Sequence, residues 1–416
     1  MTIFKSTVPL IQSAILILLS FASGRLVAGD WPQILGPNRD GVAEGEQLPD
    51  SWPDGGPKTI WEYDVGSGFA GPVVVGNRVI VFHRVGDQER VEALTAADGK
   101  QLWQADFDAS YRGTINPDDG PRCVPVVSGD AVFVFGAAGD VHCVSLADGK
   151  KRWSRDTFGD YDASEGYFGA GSTPIVIDGK LLVNVGGRDG AGIVAFDVRN
   201  GKTLWTAGDE QASYSSPTVL DRNGKPVAVF VTRLNALLVD PSNGDILARN
   251  PFGARGPTVN AATPLVIDGN LFLTASYGVG ATLLTPTSDE LKTVWESDDV
   301  LSSQYNTPVY RDGYLYGIHG REDIGEALLR CVALKTGKVQ WSEDAFGVAH
   351  LILAGEKLLI ARINGELVLA KASPERFQML SKTQAFGGTL RAIPALAHGN
   401  LYARDDKQLK CIAVGE

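Results

Sequence analysis

Chemically reactive side chains are scarce in this sequence. Its 416 residues include only 4 cysteines, 2 methionines and 5 histidines. No Cys-x-x-Cys pair, His-Glu-x-x-His motif or Gly-x-Ser-x-Gly motif occurs. The sequence therefore gives no support to a zinc site or to a serine hydrolase.

Positive charge is also sparse and is never clustered. The 38 lysines and arginines are outnumbered by 49 aspartates and glutamates, which gives a net charge of −11. Nucleic acids and anionic membranes are bound by clustered Lys and Arg, so both are excluded as partners. Glycine, by contrast, is abundant at 49 residues, which is typical of short strands and tight turns.

The first residues resemble an export signal. Lys5 precedes a largely apolar stretch from Val8 to Ala22, and the small residues Val27-Ala28-Gly29 follow. This order predicts a cleaved signal peptide over residues 1–29 and a periplasmic or secreted protein. Retention of the stretch as a membrane anchor is the alternative, although Pro9 makes it a poor membrane span.

One short motif recurs along the rest of the chain. It is a turn followed by Lys and, three residues later, Trp. The clear copies end at Trp103, Trp153, Trp205 and Trp341. Asp-Gly or Asn-Gly between two apolar runs is a strong hairpin signal, because the turn requires positive φ.

A second marker, a proline that opens an apolar run, precedes each copy. The seven prolines are Pro72, Pro125, Pro174, Pro217, Pro264, Pro308 and Pro394. Successive markers lie roughly 42 to 53 residues apart, the period of a four-stranded propeller blade. Proline cannot donate to a sheet, so it belongs on the innermost strand, whose free edge faces the channel. The tryptophan would begin the outer strand and pack against the neighbouring blade.

The count of repeats predicts how the ring closes. A repeat around Leu351 has lost its proline and brings the total to eight, while the last repeat has only three strands. The missing strand is Lys58-Thr59-Ile60-Trp61, which should pair beside the strand that carries Cys411. We therefore predict an all-β, eight-bladed propeller over residues 58–416 that leaves no open sheet. A Pro/Gly-rich lead segment over residues 30–57 precedes it.

The four cysteines occupy positions that disfavour disulfides. Cys143 and Cys331 stand ten residues before their tryptophans, where other repeats have alanine, and Cys411 has the same place in the last repeat. Cys123 belongs to the first strand of the Cys143 blade, about 9.6 Å away across two strand spacings. We expect four free, buried thiols.

Loops at one mouth of the channel are the predicted ligand site. Residues just before the inner strands should meet there, and several are types that bind ligands with few rotamers and directed hydrogen bonds. These candidates are Phe69, Arg122, Tyr167, Tyr214, Ser215, Asn260, Tyr305, Asn306 and Arg391. The two arginines favour an anionic ligand. The alternative is that these side chains merely fill and hydrate the mouth.

The Gly-Lys-x-x-Trp ending, the proline-opened strand and the eightfold count resemble the pyrroloquinoline-quinone (PQQ) repeat superfamily. The segment that begins at Trp31 and runs Trp-Pro-Gln-Ile-Leu-Gly-Pro-Asn-Arg-Asp-Gly is similar to bacterial repeat proteins related to the outer-membrane-protein assembly factor BamB. This resemblance implies a non-catalytic scaffold with a protein or peptide partner in the cell envelope. It also implies a monomer that has no cofactor.

True quinoprotein dehydrogenases of the superfamily supply the main alternative. That resemblance would imply PQQ over the channel, a Ca²⁺ ion bound by Glu and Asn, a catalytic Asp and often a disulfide between adjacent cysteines. No adjacent cysteines occur here, and no residue can be matched to the catalytic set. A sugar- or polymer-binding module with a tyrosine-bearing mouth is a third hypothesis.

Overall fold

The computed structural model describes residues 29–415, which form eight four-stranded antiparallel sheets arranged as blades around a ring. The predicted fold class is confirmed. The predicted signal peptide lies outside the described residues, apart from Gly29. Within residues 29–415, no helix has the length and apolar composition needed to cross a bilayer.

The first four blades each use four consecutive strands, numbered from the channel outward. Blade 1 contains β2 (Val73–Val75), β3 (Arg78–Val85), β4 (Gln88–Thr95) and β5 (Gln101–Asp108). Blade 2 contains β6 (Val126–Ser128), β7 (Ala131–Phe135), β8 (Asp140–Ser145) and β9 (Lys151–Asp156), followed by a short helix α1 (Thr157–Tyr161). Blade 3 contains β10 (Ile175–Ile177), β11 (Lys180–Asn184), β12 (Ile193–Asp197) and β13 (Thr203–Ala207). Blade 4 contains β14 (Thr218–Arg222), β15 (Lys225–Val231), β16 (Asn235–Val239) and β17 (Ile246–Pro251).

The next three blades repeat this order, and the eighth takes one strand from the start of the chain. Blade 5 contains β18 (Leu265–Ile267), β19 (Asn270–Ala275), β20 (Gly280–Pro286) and β21 (Leu291–Ser297). Blade 6 contains β22 (Val309–Arg311), β23 (Tyr314–Arg321), β24 (Glu326–Ala333) and β25 (Lys338–Glu343). Blade 7 contains β26 (Ala349–Ala354), β27 (Lys357–Arg362), β28 (Glu366–Lys371) and β29 (Gln378–Gln384). Blade 8 contains β30 (Ala395–Ala397), β31 (Asn400–Arg404), β32 (Gln408–Ala413) and, outermost, β1 (Lys58–Asp64).

The strand that closes the ring lies where the repeat count predicts it. β1 pairs antiparallel with β32, and Trp61 lies directly opposite Cys411. Both ends of the propeller therefore share one sheet, and no blade is left incomplete.

Tryptophan and glycine of the recurring motif hold neighbouring blades together. The ring of Trp153 in blade 2 covers Gly201 of blade 3 so closely that a Cβ there would lie 2.6 Å from the indole. Its Nε1 donates to the carbonyl oxygen of Val198, also in blade 3, at 2.9 Å. Trp61, Trp103, Trp205 and Trp295 make the same kind of contact with the glycine of the following blade. The motif thus encodes packing between blades as well as a turn within one.

Every outermost strand also contains a β-bulge beside the tryptophan position. The pairing register shifts between the third and fourth strands of all eight blades. In blade 1 the extra residue is Leu102, which is 45% exposed. Bulges twist an edge away from straight pairing, so the outer rim is poorly suited to adding a foreign strand.

The four thiols are free and buried, as predicted. Cys143, Cys331 and Cys411 lie on third strands, each opposite the tryptophan of its blade. Cys123 differs slightly from the prediction, because it lies in the loop just before β6. All four are completely unexposed.

The lead segment packs against the inside of the ring. Trp31 exchanges two backbone hydrogen bonds with Val74 of β2, at 2.7 and 2.9 Å, and Leu353 of β26 donates to Gly41 at 2.9 Å. These bonds satisfy groups on inner strands whose free edges face the channel. We call residues 30–43 the channel segment.

Arg39 forms the deepest contact of the channel segment. Its side chain is 2% exposed and donates to the backbone carbonyls of Thr173, Pro174 and Pro217. Burial lowers the pKa of Arg39 to about 9, and three carbonyl acceptors offset part of that desolvation cost. The channel is therefore occupied by the protein's own chain.

Candidate functional site

Two sets of loops meet at one end of the ring. Because strands alternate in direction within a blade, the loops before inner strands share an end with the turns between second and third strands. We call this the mouth end and the opposite one the base end. The lead segment is anchored at the base end, where Asp30 accepts a bond from Gly76 and Glu46 accepts bonds from His398 and Gly399.

Six side chains from blades 6, 8, 1 and 2 form a continuous chain of contacts at the mouth end. We call it the mouth cluster, and it consists of Tyr305, Glu322, Arg391, Phe69, Arg122 and Tyr111. Glu322 accepts from Tyr305 at 3.0 Å and from Arg391 at 2.5 Å. The guanidinium carbons of Arg391 and Arg122 each lie 5.5 Å from the Phe69 ring centroid, and Arg122 also lies 5.1 Å from the Tyr111 ring. Such cation–π contacts hold guanidinium groups on aromatic rings.

The charges of the mouth cluster are largely compensated within it. Arg391 pairs with Glu322, and that hydrogen bond raises the pKa of Arg391. Arg122 folds back onto the carbonyl of Asp118 at 2.7 Å, with the Asp118 carboxylate 3.7 Å away. Burial, followed by the Glu322 charge, raises the pKa of the Tyr305 hydroxyl. The cluster is thus an aromatic and guanidinium surface rather than a bare cationic pocket.

Asn306 lies beneath the mouth cluster, where it orients a histidine. His350 is 5% exposed, and burial lowers its pKa to about 4, so the ring is neutral at pH 7. Its Nε2 lies 2.8 Å from the carbonyl oxygen of Arg391, and its Nδ1 lies 3.3 Å from the Asn306 amide nitrogen. This geometry makes Nε2 the donor and Nδ1 the acceptor. Asn306 and His350 therefore support the loop that carries Arg391.

Tyr167, Tyr214 and Asn260 belong to a separate cavity of about 500 Å³ at the mouth end of blades 3 and 4. We call it the side cavity. Its walls are the loops 164–171, 211–214 and 255–260, together with the ends of strands β11 and β15. The Tyr214 hydroxyl accepts from the backbone amides of Tyr167 and Phe168 at 2.9 and 2.8 Å. Tyr167 itself is 39% exposed.

The side chains of Ser215 and Asn260 donate hydrogen bonds to backbone carbonyls and do not face solvent. Ser215 is 1% exposed and donates to the carbonyl of Ala262 at 2.7 Å. The Asn260 amide is 2% exposed and donates to the carbonyl oxygens of Thr232 and Phe252, at 3.0 and 3.2 Å. Both residues shape the loops of the side cavity.

The candidate residues thus divide into three groups. Phe69, Arg122, Tyr305 and Arg391 come together in the mouth cluster, and Tyr167 and Tyr214 line the side cavity. Ser215, Asn260 and Asn306 are buried supports. Sequence reasoning missed Glu322 and Asn184, which end or follow second strands. The antiparallel alternation of each blade places those positions at the mouth end, so it is the signal that would have found them.

The mouth cluster offers one carboxylate, that of Glu322, as a possible calcium ligand. Calcium takes six to eight oxygen ligands, which can be carboxylates, carbonyl oxygens or waters. Within residues 29–415, no three His, Cys, Asp or Glu side chains come close enough to hold a metal ion. Glu322, the carboxylate of the mouth cluster, is already bonded to Arg391 and Tyr305. The absence of a cofactor remains a prediction.

Fold and site together define an eight-bladed propeller of PQQ-like repeats. A protein-family model described as "Outer membrane protein assembly factor BamB" matches residues 54–111 and 87–343. This chain belongs to that family.

Curated relatives fall into two groups. The BamB of Alkalilimnicola ehrlichii is 30% identical over 213 residues, 51% of this chain and 50% of that protein. The BamB of Yersinia pestis is 23% identical over 373 residues, 74% of this chain and 87% of that protein. The quinoprotein alcohol dehydrogenase PedH of Pseudomonas putida is 34% identical over 135 residues, 30% of this chain and 21% of the dehydrogenase. The match thus spans half the length of the first relative and about a fifth of the dehydrogenase.

Solved structures show the same fold. BamB from Moraxella catarrhalis aligns with a TM-score of 0.63 at 16% identity, covering 86% of this chain and 99% of that one. Quinohemoprotein alcohol dehydrogenase ADHIIG from Pseudomonas putida aligns with a TM-score of 0.66 at 13% identity, covering 93% and 80%. Because one scaffold serves both groups, the fold alone does not decide the function.

Proposed function

We propose that this protein is a non-catalytic binding scaffold of the cell envelope that acts in outer-membrane protein assembly through a protein or peptide partner. Its membership of the BamB family supports this role. The predicted signal peptide supports a periplasmic location. The channel segment fills the ring from the base end, so partner binding falls to the outer surface.

The distribution of exposed apolar side chains carries the proposal. Nine large hydrophobic side chains are exposed within residues 29–415. Three of them lie in mouth-end loops, Val85 ends strand β3 at the same end, and the other five lie on outer strands. The mouth-end residues are Val85, Ile115, Tyr167 and Ile324, at 40%, 61%, 39% and 55% exposure. Loops positioned by a rigid scaffold carry binding residues disproportionately often.

The loops that carry these residues are held firmly. Arg84 lies at the end of β3 and donates to the carbonyls of Tyr111 and Asp119 at 2.7 and 3.2 Å. These bonds fasten the loop of Ile115 beside Val85. Glu322, two residues before Ile324, is tied across the mouth to Arg391. A preorganised surface loses little entropy when a partner docks.

A binding experiment with matched variants tests this proposal. The partner probe is the purified periplasmic region of the β-barrel subunit of the same organism's outer-membrane assembly machinery. We expect the pair Ile115→Asp and Ile324→Asp to weaken binding at least about tenfold by calorimetry, since buried apolar contacts carry interface energy. The control pair, Leu204→Asp and Val294→Asp on bulged outer strands, should bind like the unmodified protein. Equal weakening by both pairs, or no binding at all, would overturn the proposal.

A second experiment addresses the quinone alternative. Purified protein is incubated with PQQ and Ca²⁺ and passed through a gel-filtration column. We expect the quinone absorbance to elute separately, because the carboxylate of Glu322 at the mouth is already bonded to Arg391 and Tyr305. Co-elution with the protein, together with dye reduction on alcohols, would instead support a quinoprotein dehydrogenase.

A further inference from the structure

The side cavity contains a buried amide without a hydrogen-bond partner. Asn184 ends strand β11, lines the cavity and is 1% exposed. Within the described part of the chain, neither its Oδ1 nor its Nδ2 is hydrogen-bonded. An unpaired buried amide costs roughly 1–3 kcal/mol, so its presence at a cavity requires an explanation.

At the register of Asn184, no other blade has an amide. Asn184 lies two residues beyond Leu182, which pairs through Ala195 with Trp205. At the equivalent register, five other blades have Phe82, Phe135, Val231, Ile318 and Ala361. The two remaining blades, 5 and 8, have Thr274 and Arg404 at this register. These side chains donate to the carbonyls of Leu301 and Gly66, respectively. Asn184 alone combines a polar group, burial and no hydrogen-bond partner among the described residues.

The remaining walls of the cavity suit a small polar ligand that is neutral overall. Tyr167 presents an exposed ring at the rim, where Glu165 and Arg255 contribute one charge of each sign. Arg233 keeps its positive charge, but its Nη1 and Nη2 already donate to the carbonyls of Ala254 and Gly256 at 2.8 and 2.6 Å, so they are not free to bind an anion. The aliphatic side chains in the lining are few and small to medium in size, so no deep apolar pocket exists for a peptide side chain.

We propose that the side cavity binds a neutral saccharide. A buried amide presents a donor and an acceptor side by side, which matches two adjacent hydroxyl groups of a sugar ring. The Tyr167 ring offers a flat face for the C–H side of the same sugar. The volume of about 500 Å³ accommodates one or two sugar units, since ligand pockets span roughly 300–1,000 Å³.

Calorimetric titration with glucose and N-acetylglucosamine tests this proposal on the intact chain. We expect saturable binding of at least one sugar with a Kd of about 1 mM or tighter. Asn184→Val and Tyr167→Ala should each weaken that binding at least about tenfold. Leu204→Ala, on the outer strand of blade 3 and outside the cavity, should leave it unchanged.

A thermal melt separates a ligand role from a structural one. Asn184→Val installs a side chain that blade 4 already has at this register, so its melting temperature should equal or exceed that of the unmodified protein. A lower melting temperature with unchanged sugar affinity would mean that the amide is structural. Absence of saturable binding for both sugars, or binding of alanyl-alanine in their place, would also overturn the proposal. None of these outcomes depends on the protein partner proposed above.

Discussion

The Nη1 atom of Arg39 donates to the backbone carbonyl oxygen of Pro217 at 2.8 Å, across a sequence separation of 178 residues. Pro217 immediately precedes the inner strand of blade 4, whereas Arg39 precedes the whole propeller. This bond, with those to Thr173 and Pro174, makes the channel segment part of the folded ring. Stability of the ring should therefore depend on a residue outside every blade.

We predict that Arg39→Met lowers the free energy of unfolding by about 2–4 kcal/mol, because three carbonyls lose a charged donor. Methionine retains most of the aliphatic stem, so the change reports mainly on the guanidinium. Urea denaturation measures the effect. Arg188→Met is the control, since its ion pair with Asp162 is exposed on both sides and contributes less than about 1 kcal/mol. Equal destabilisation by the two variants would contradict the role of Arg39.

Gly201→Ala should destabilise the protein more than Gly179→Ala in the same blade. Both glycines have positive φ, of 69° and 73°, so both variants lose roughly 1–2 kcal/mol to backbone strain. A Cβ on Gly201 would lie 2.6 Å from Trp153, while one on Gly179 would meet nothing within 4 Å. Overpacking adds roughly 1–3 kcal/mol. Thermal unfolding that shows no difference between the variants would contradict packing of Trp153 on Gly201.

Glu89 should make stability fall as pH rises. It is 4% exposed, and burial raises its pKa from 4.5 to about 7, opposed by the backbone amide of Ala137 and the nearby arginines. The unfolded chain ionises first as pH increases, so the contribution is complete below pH 4.5 and is lost by about pH 7. Asp140, whose pKa burial raises to about 6, titrates in the same window, so a variant is needed to isolate Glu89.

Glu89→Gln provides that comparison. At pH 5 it should match the unmodified protein, whereas at pH 8 it should be more stable by up to about 3 kcal/mol. Chemical denaturation at both pH values measures the difference. Glu296→Gln, on the exposed face of β21, should show no such pH-dependent gain. A gain for Glu89→Gln that is the same at both pH values would contradict the assignment.

The four thiols should be unreactive in the native protein. All are unexposed, and burial raises the pKa of Cys143 to about 12 and of Cys411 to about 11. Because the thiolate is the reactive form, a colorimetric thiol reagent at pH 8 should detect none until denaturant is added, and then four. The control is Ser288→Cys in an exposed loop, which should react at once. Fewer than four thiols after denaturation without reductant would indicate a disulfide.

Sequence alone predicted the features that repeat. The proline-opened strands, together with the repeat around Leu351, set the blade count, and the extra motif copy at Trp61 predicted the pairing with Cys411. The rule that loops before inner strands share one end brought Phe69, Arg122, Tyr305 and Arg391 into one cluster. These predictions succeeded because each rests on a local pattern that recurs at a fixed spacing.

Features that occur once were not predictable in this way. Arg39 bonds to carbonyls 134 to 178 residues away, and backbone acceptors have no signature in the sequence. Asn184 has no hydrogen-bond partner because no donor or acceptor of the described residues lies within reach of its amide. That fact depends on the three-dimensional arrangement of the blades. Glu322 lies in the turn between the second and third strands of blade 6, whereas the predicted site comprised only loops before inner strands. Each becomes visible only when distant blades are placed side by side.

Because β1 forms the outermost strand of blade 8, the ring closes only when β32 pairs with β1. β1 is synthesised first and must wait, without its partner, until β32 has been made. During that interval the ring is open, and its two unpaired ends are exposed to other chains. Contacts between such distant parts of a chain form slowly, so maturation should be governed by the arrival of the final residues. A product that stops before Cys411 would keep seven complete blades, but its ring would stay open.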